Sequence, residues 1–174
     1  MKKAYENLIE RRSCRSYDGA PIPESVLDDI LKAGTYAPTG KGGQSPKMVV
    51  LQKKEDVAFY ERLNAAVMGN ENAKTFYGAP TVVVVFGDKN SPFCLDDANL
   101  VIGNLLNAAN ALGVSSCYIW RAKEVFNLAE GKALMQKWGV SDNYMGVGNV
   151  ILGYGKEGGT RKPLPRKKDY VIKI

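Results

Sequence analysis

The sequence predicts an α+β or three-layer α/β fold, and two observations carry that expectation. Helix-spaced and strand-like apolar segments alternate along the chain, roughly α-α-β-α-β-α-β-α-β. The clearest strand, TVVVVFG at 81–87, is apolar on both of its alternating sides, so both faces of its sheet must be covered. With 174 residues, 45% of them hydrophobic and 24% charged, the chain reads as one globular domain spanning 1–174.

Each element has a local cause. Residues 4–12 form a short amphipathic pattern with Ala4, Tyr5, Leu8 and Ile9 on one side, stopped by the loop RSCRSYDGAPIP. Pro23 suits a first helical turn, and Val26, Leu27, Ile30 and Leu31 follow at helical spacing until Gly34. The stretch YAPTGKGGQSP, 36–46, has three Gly and two Pro and forms neither helix nor central strand. A short strand is predicted at 48–52 and a helix at 55–68, where Val57, Tyr60, Leu63 and Val67 align.

The predicted helix at 97–112 has no charge after Asp97. Its wide apolar face and its stripe of Asn104, Asn107 and Asn110 place it inside the fold or at a subunit interface. SSCYIW, 115–120, is a further strand, and 123–138 reads as helix weakened at Gly131. YMGVGNVILGYG, 144–155, is a Gly-interrupted strand, and DYVIKI, 169–174, a candidate terminal strand.

Composition excludes much. There is no His, hence no Ser-His-Asp triad, Cys-His pair or HExxH zinc site. Any proton or electron transfer must use other groups, and a bound cofactor is the simplest. Cys14, Cys94 and Cys117 are spaced by 80 and 23 residues and match no CxxC motif, so no metal site is expected. Their odd count and the lack of an apolar signal core point to a reducing, cytoplasmic compartment. No run approaches the ~18 apolar residues of a membrane span, so no membrane partner is expected.

The net charge of +6 suggests an anionic partner. A nucleic acid is one reading; a solvated basic surface is the other. Much of the excess sits at Arg11, Arg12 and Arg15 and at Arg161, Lys162, Arg166, Lys167 and Lys168.

Three Gly-rich motifs bear on nucleotide binding. PTGKGG, 38–43, lacks the first Gly of a P-loop and the Ser or Thr after its Lys. GYGKEG, 153–158, matches GxGxxG, but Pro163 and Pro165 prevent the helix that a Rossmann unit requires. GVGNVILG lacks the third Gly of that pattern. RRSCR, 11–15, gathers three guanidiniums and a hydroxyl, donors suited to phosphate oxygens. The same arginines would equally suit a helix C-terminus.

The segment RRSCRSYDGAPIPESVLDDILKAGTYAP resembles the opening of the FMN-dependent nitroreductases. The resemblance continues through APTGKGGQSP, FYGAPTVVVVFGD, DDANLVIGNLLNAANALGVSSCYI, NVILGYG and LPRKKDYV, in family order over almost the whole chain. It implies a nitroreductase-like three-layer sandwich with a mixed, mainly antiparallel sheet and a C-terminal tail wrapping the partner of a homodimer. It implies two FMN sites at the subunit interface and hydride transfer from NAD(P)H, by a ping-pong route, to a small acceptor such as a nitroaromatic or quinone. Phosphate binding falls to Arg11, Arg12, Ser13, Arg15 and the tail residue Arg166. Pro38, Thr39 and Gln44 approach from the partner subunit. Cys117, Tyr118, Ile119 and Trp120 run past the ring, and Asn70, Asn72 or Lys74 reaches its pyrimidine edge.

Two departures stand out. Gly42 takes a place where the family often has Asn, and Leu164 one where a basic residue is common, with Lys168 a substitute charge. The chemistry agrees with the absent His, since a flavin takes hydride without an enzymic acid or base. No side chain is thus assigned as catalytic. A flavin sensor or carrier without turnover, and a basic nucleic-acid module, are the alternatives; the resemblance favours an enzyme with no nucleic-acid partner.

Overall fold

Every residue from Thr81 to Gly87 is buried, and alternation sorts the side chains into two cores. Val82, Val84 and Phe86 join Tyr60, Phe76, Phe126 and Ile151 on one face. Val83 and Val85 join Ile30, Ile102, Leu105 and Val150 on the other. This computed structural model describes residues 3–174; the first two residues of the expected domain lie outside it.

The sheet has four strands, β1 (Lys47–Leu51), β2 (Thr81–Asp88), β3 (Ser115–Ile119) and β4 (Tyr144–Gly153), in the spatial order β1-β2-β4-β3. All three strand pairings are antiparallel. Among the described residues, the parallel pairing is an isolated bridge, Ser13 with Ser116. Helices α2 (Glu24–Thr35) and α4 (Cys94–Ala111) cover one face. Helices α3 (Lys54–Val67), α5 (Ala122–Val125) and α6 (Ala129–Lys137) cover the other. Among the described residues, no helix is long and apolar enough to cross a membrane.

The asparagine stripe of α4 fastens the outer helices. Asn104 Nδ2 donates to the Ala33 carbonyl at 2.9 Å, holding the end of α2. Asn110 Nδ2 donates to Asn7 Oδ1, and Asn7 Nδ2 to the Asn107 carbonyl at 2.8 Å, holding α1 (Ala4–Glu10). The apolar side predicted for this first helix is therefore not its inner side. Asn7 is buried, whereas Tyr5, Leu8 and Ile9 are 73%, 59% and 52% exposed. A buried amide must find partners, and α4 supplies them only where Asn7 faces inward.

Three other expectations are corrected. The helix predicted from 97 begins at Cys94, three residues earlier. The helix predicted over 123–138 is two helices, α5 and α6, broken at residues 126–128. The segment 169–174 is exposed and forms no strand, because it meets no sheet edge in its own chain.

The break before α6 has a packing cause. A Cβ on Gly131 would collide with the Val125 carbonyl oxygen and crowd the Phe126 backbone, neither of which can rotate aside. Gly131 thus weakens the helix by propensity yet permits the close crossing of α6 on the end of α5. The substitution Gly131→Ala is expected to destabilise the fold by about 1–3 kcal/mol, read as a lowered urea midpoint at unchanged m-value.

Candidate functional site

One edge of the sheet, β3, receives the arginine run. The Cys14 N–H donates to the Ser116 carbonyl at 2.9 Å, next to the parallel bridge between Ser13 and Ser116. On the other side the Arg15 N–H donates to the Gly159 carbonyl at 2.8 Å. Residues 13–15 are thereby threaded between the edge of β3 and the start of the tail. Beyond Ser116 the outer edge of β3 pairs with no described strand.

The three arginines do different things. Arg12 Nη1 donates to the Ile9 and Arg11 carbonyls, each at 2.7 Å, and so caps the end of α1. This is the helix-end role that the sequence left open beside the phosphate role. Arg11 Nη1 and Arg12 Nε are buried without any partner, as is Ser116 Oγ. A guanidinium nitrogen withdrawn from water and left unbonded is unfavourable, so these atoms mark places awaiting an acceptor. Arg11 and Arg15 both lie near Cys117, and Arg15 enters the adjoining cleft.

That cleft, about 400 Å³, runs from Arg15 along the end of β3. Lys74 and Tyr77 line one wall and Tyr118, Trp120 and Arg121 the other. Of Asn70, Asn72 and Lys74, only Lys74 lines it. Cys117 and Ile119 also contribute, and Thr75 adds a buried hydroxyl with no partner. The Tyr118 ring lies over Gly148 of β4, where any side chain would displace it. Burial, and then the charge of Glu124, push the Tyr118 hydroxyl above its ordinary range, so it stays protonated at neutral pH.

Two cleft residues hold unusual backbones. Tyr77 has φ of 54° and Arg121 has φ of 79°, the left-handed region that side chains other than Gly rarely occupy. Such a residue typically costs about 1–3 kcal/mol. The Arg121 guanidinium sits 5.2 Å from the Trp120 ring centroid, a cation–π contact. Sequence reading missed Arg121, Thr75 and Tyr77, since nothing local marks a strained or orphaned position.

The Pro-Gly loop lies at the opposite edge. The Gly40 N–H donates to Asp97 Oδ1 at 2.8 Å, Ser45 Oγ donates to Asp97 Oδ2 at 3.4 Å, and the Tyr144 hydroxyl donates to the Ser45 carbonyl at 3.1 Å. Thr39 Oγ1 accepts from the Gln44 N–H at 3.0 Å, and Gln44 itself has φ of 47°. Pro38, Thr39 and Gln44 thus precede β1, three strand spacings of about 4.8 Å from β3. The single chain does not bring them to the arginine cleft. Arg166 and Lys168 are exposed on the tail, outside both groups. Asp97 is the anchor that the sequence pattern hinted at, 3% exposed and the last charge along α4, after Asp96.

A model of the nitroreductase family matches residues 8–154. This chain belongs to the nitroreductase family. A relative from Archaeoglobus fulgidus, provisionally named an NADH dehydrogenase/NAD(P)H nitroreductase, is 27% identical over 162 residues, 90% of this chain and 88% of that protein. The crystal structure of a Bacteroides fragilis nitroreductase with bound FMN superposes with a TM-score of 0.91 at 27% identity, covering both chains completely. A second FMN-bound nitroreductase, from Desulfitobacterium hafniense, shares the fold with a TM-score of 0.85 at 23% identity, covering 100% of this chain and 99% of the other.

The cleft and the arginine run beside it offer donors of the right kind for an anionic, flat cofactor. The unpartnered Arg11 nitrogen, Ser13 and Arg15 suit a phosphate, and the unpaired edge of β3 suits a ring that needs backbone hydrogen bonds. A larger cavity, about 660 Å³, opens between the start of β4 and α5–α6, and none of these groups reaches it. Burial pushes the Cys117 thiol up, against the opposing pull of a Ser13 hydrogen bond and the Arg15 and Arg11 charges. Little thiolate forms at neutral pH, and the thiol is buried. Iodoacetamide at pH 8 is expected to label Cys117 at least about tenfold more slowly in the folded protein than in urea, as read by peptide mass spectrometry.

Proposed function

We propose that this nitroreductase, as one domain over 1–174, is an FMN-dependent oxidoreductase that moves reducing equivalents from NAD(P)H to a small acceptor such as a quinone or nitroaromatic, in two half-reactions. The observation that carries the reading is the buried, unpartnered Arg11 nitrogen beside the open edge of β3. The full-length match to an FMN-bound nitroreductase supports it. FMN bound here would supply the hydride carrier between the nicotinamide and the acceptor. With a quinone, one hydride and one proton give the hydroquinone, and NAD(P)⁺ leaves.

The chain's own residues would then do four things. Arg11, Ser13 and Arg15 hold the phosphate, with Arg166 and Lys168 closing on it from the tail. Arg12 contributes through its free Nε while capping α1. Lys74 and the backbone of Cys117, Tyr118 and Ile119 place donors along the ring and favour negative charge there. Tyr118 and Trp120 help exclude water from the cleft.

Pro38, Thr39 and Gln44 complete the site only from a second copy. A homodimer is supported by the separation of the two half-sites on opposite sheet edges. It is also supported by the exposed Tyr5, Leu8 and Ile9 of α1 and the exposed Leu95 and Leu100 of α4. The tail carries Tyr170, Val171, Ile172 and Ile174, all exposed, and 161–174 can extend to about 45 Å. In this reading it wraps the partner and adds a strand to its sheet.

Purified protein is expected to be yellow and to lose its flavin absorbance with NAD(P)H under anaerobic conditions. A colourless protein that takes up no supplied FMN would overturn the reading. Replacing Arg11 by Ala removes one charge-assisted bond and is expected to raise the FMN Kd about 10–100-fold, measured by flavin fluorescence. Truncation after Gly159 is expected to lower FMN affinity and to shift the sedimentation coefficient toward a single chain.

A further inference from the structure

We propose that Arg121 selects an anionic aromatic acceptor, a flat ring bearing a carboxylate, and holds that carboxylate while the ring lies against Trp120. The inference rests on the flavin reading above and names the substrate class of the same cleft.

Three cations line the cleft, Arg15, Lys74 and Arg121, and none of its lining residues is an acid. The flavin reading uses Arg15 for the phosphate and Lys74 for the ring. Arg121 is left over. It forms no ion pair among the described residues; its guanidinium lies against the Trp120 ring, 5.2 Å from the centroid. That ring is 60% exposed, so one of its faces is free for another flat group.

The backbone argues in the same direction. Arg121 caps the start of α5 at φ 79°, where Gly would fit without strain. A strained position that keeps a long cationic side chain points to a use for that side chain. Tyr77, on the facing wall, has φ 54° as well, so both walls hold their side chains at backbone strain. An aromatic and a planar guanidinium, side by side in a cleft with no acid in its lining, match a ring with a carboxylate attached.

The test compares 4-nitrobenzoate with methyl 4-nitrobenzoate, which have the same ring and nitro group with and without the charge. The FMN-loaded wild type is expected to show at least a tenfold higher kcat/KM for the acid at low salt, mostly through KM. In R121Q the ratio of the two substrates is expected to fall to near one. R121G is expected to lose the preference without a lower thermal midpoint, since it removes the side chain and relieves the backbone. Benzoate, which is not reduced, gives a readout independent of turnover: its titration should change Trp120 fluorescence, with a Kd about tenfold weaker in R121Q.

No preference in the wild type would overturn the proposal. So would an unchanged substrate ratio in R121Q, or an R121Q effect confined to the KM of NADPH relative to NADH, which would place the anion on the donor. A protein that takes up no FMN overturns the flavin reading instead. The benzoate titration then decides the role of Arg121 by itself.

Discussion

Burial of β2 on both faces is the constraint on which the rest of the molecule depends. Its apolar run cannot meet water on either side, so helices must cover the whole sheet. Once both faces are covered, only the edges remain for chemistry. The β3 edge takes the arginine run through the Cys14 to Ser116 hydrogen bond, and the β1 edge is preceded by the Pro-Gly loop. The two halves of the proposed flavin site lie apart because the same core stands between them.

Elements driven by strong periodicity were legible in the sequence. The β2 strand, the helix over 24–35 and helix α4, uncharged after Asp97, follow from apolar spacing that tertiary context reinforces. What was not legible depended on distant partners. Asn7 turns α1 over because Asn107 and Asn110 are a hundred residues away. The break before α6 is a local exception: it sets Gly131 against the Val125 carbonyl oxygen six residues back, a close contact that apolar periodicity does not encode. The terminal segment has strand composition, but composition cannot supply an edge to pair with.

The site shows the same division. By residue type RRSCR suited either a phosphate or a helix end, and it is the fold that separates Arg12, bonded to helix carbonyls, from Arg11, whose buried nitrogen has no partner. Asp97 was visible as the last charge of α4; its task, fastening Gly40 and Ser45, was not. Arg121 and Tyr77 carried no signal at all, since a left-handed backbone in a residue other than Gly is set by the chain around it.

The asparagine fastening of α1 has a consequence for assembly. Because amide bonds orient this helix, its greasy side is aimed at solvent before any second copy arrives. An interface prepared in this way does not have to freeze a floppy segment at the moment of encounter, so less conformational entropy is lost on association. The polar grip on the inside thus acts as a jig, setting the angle at which two hydrophobic surfaces would meet.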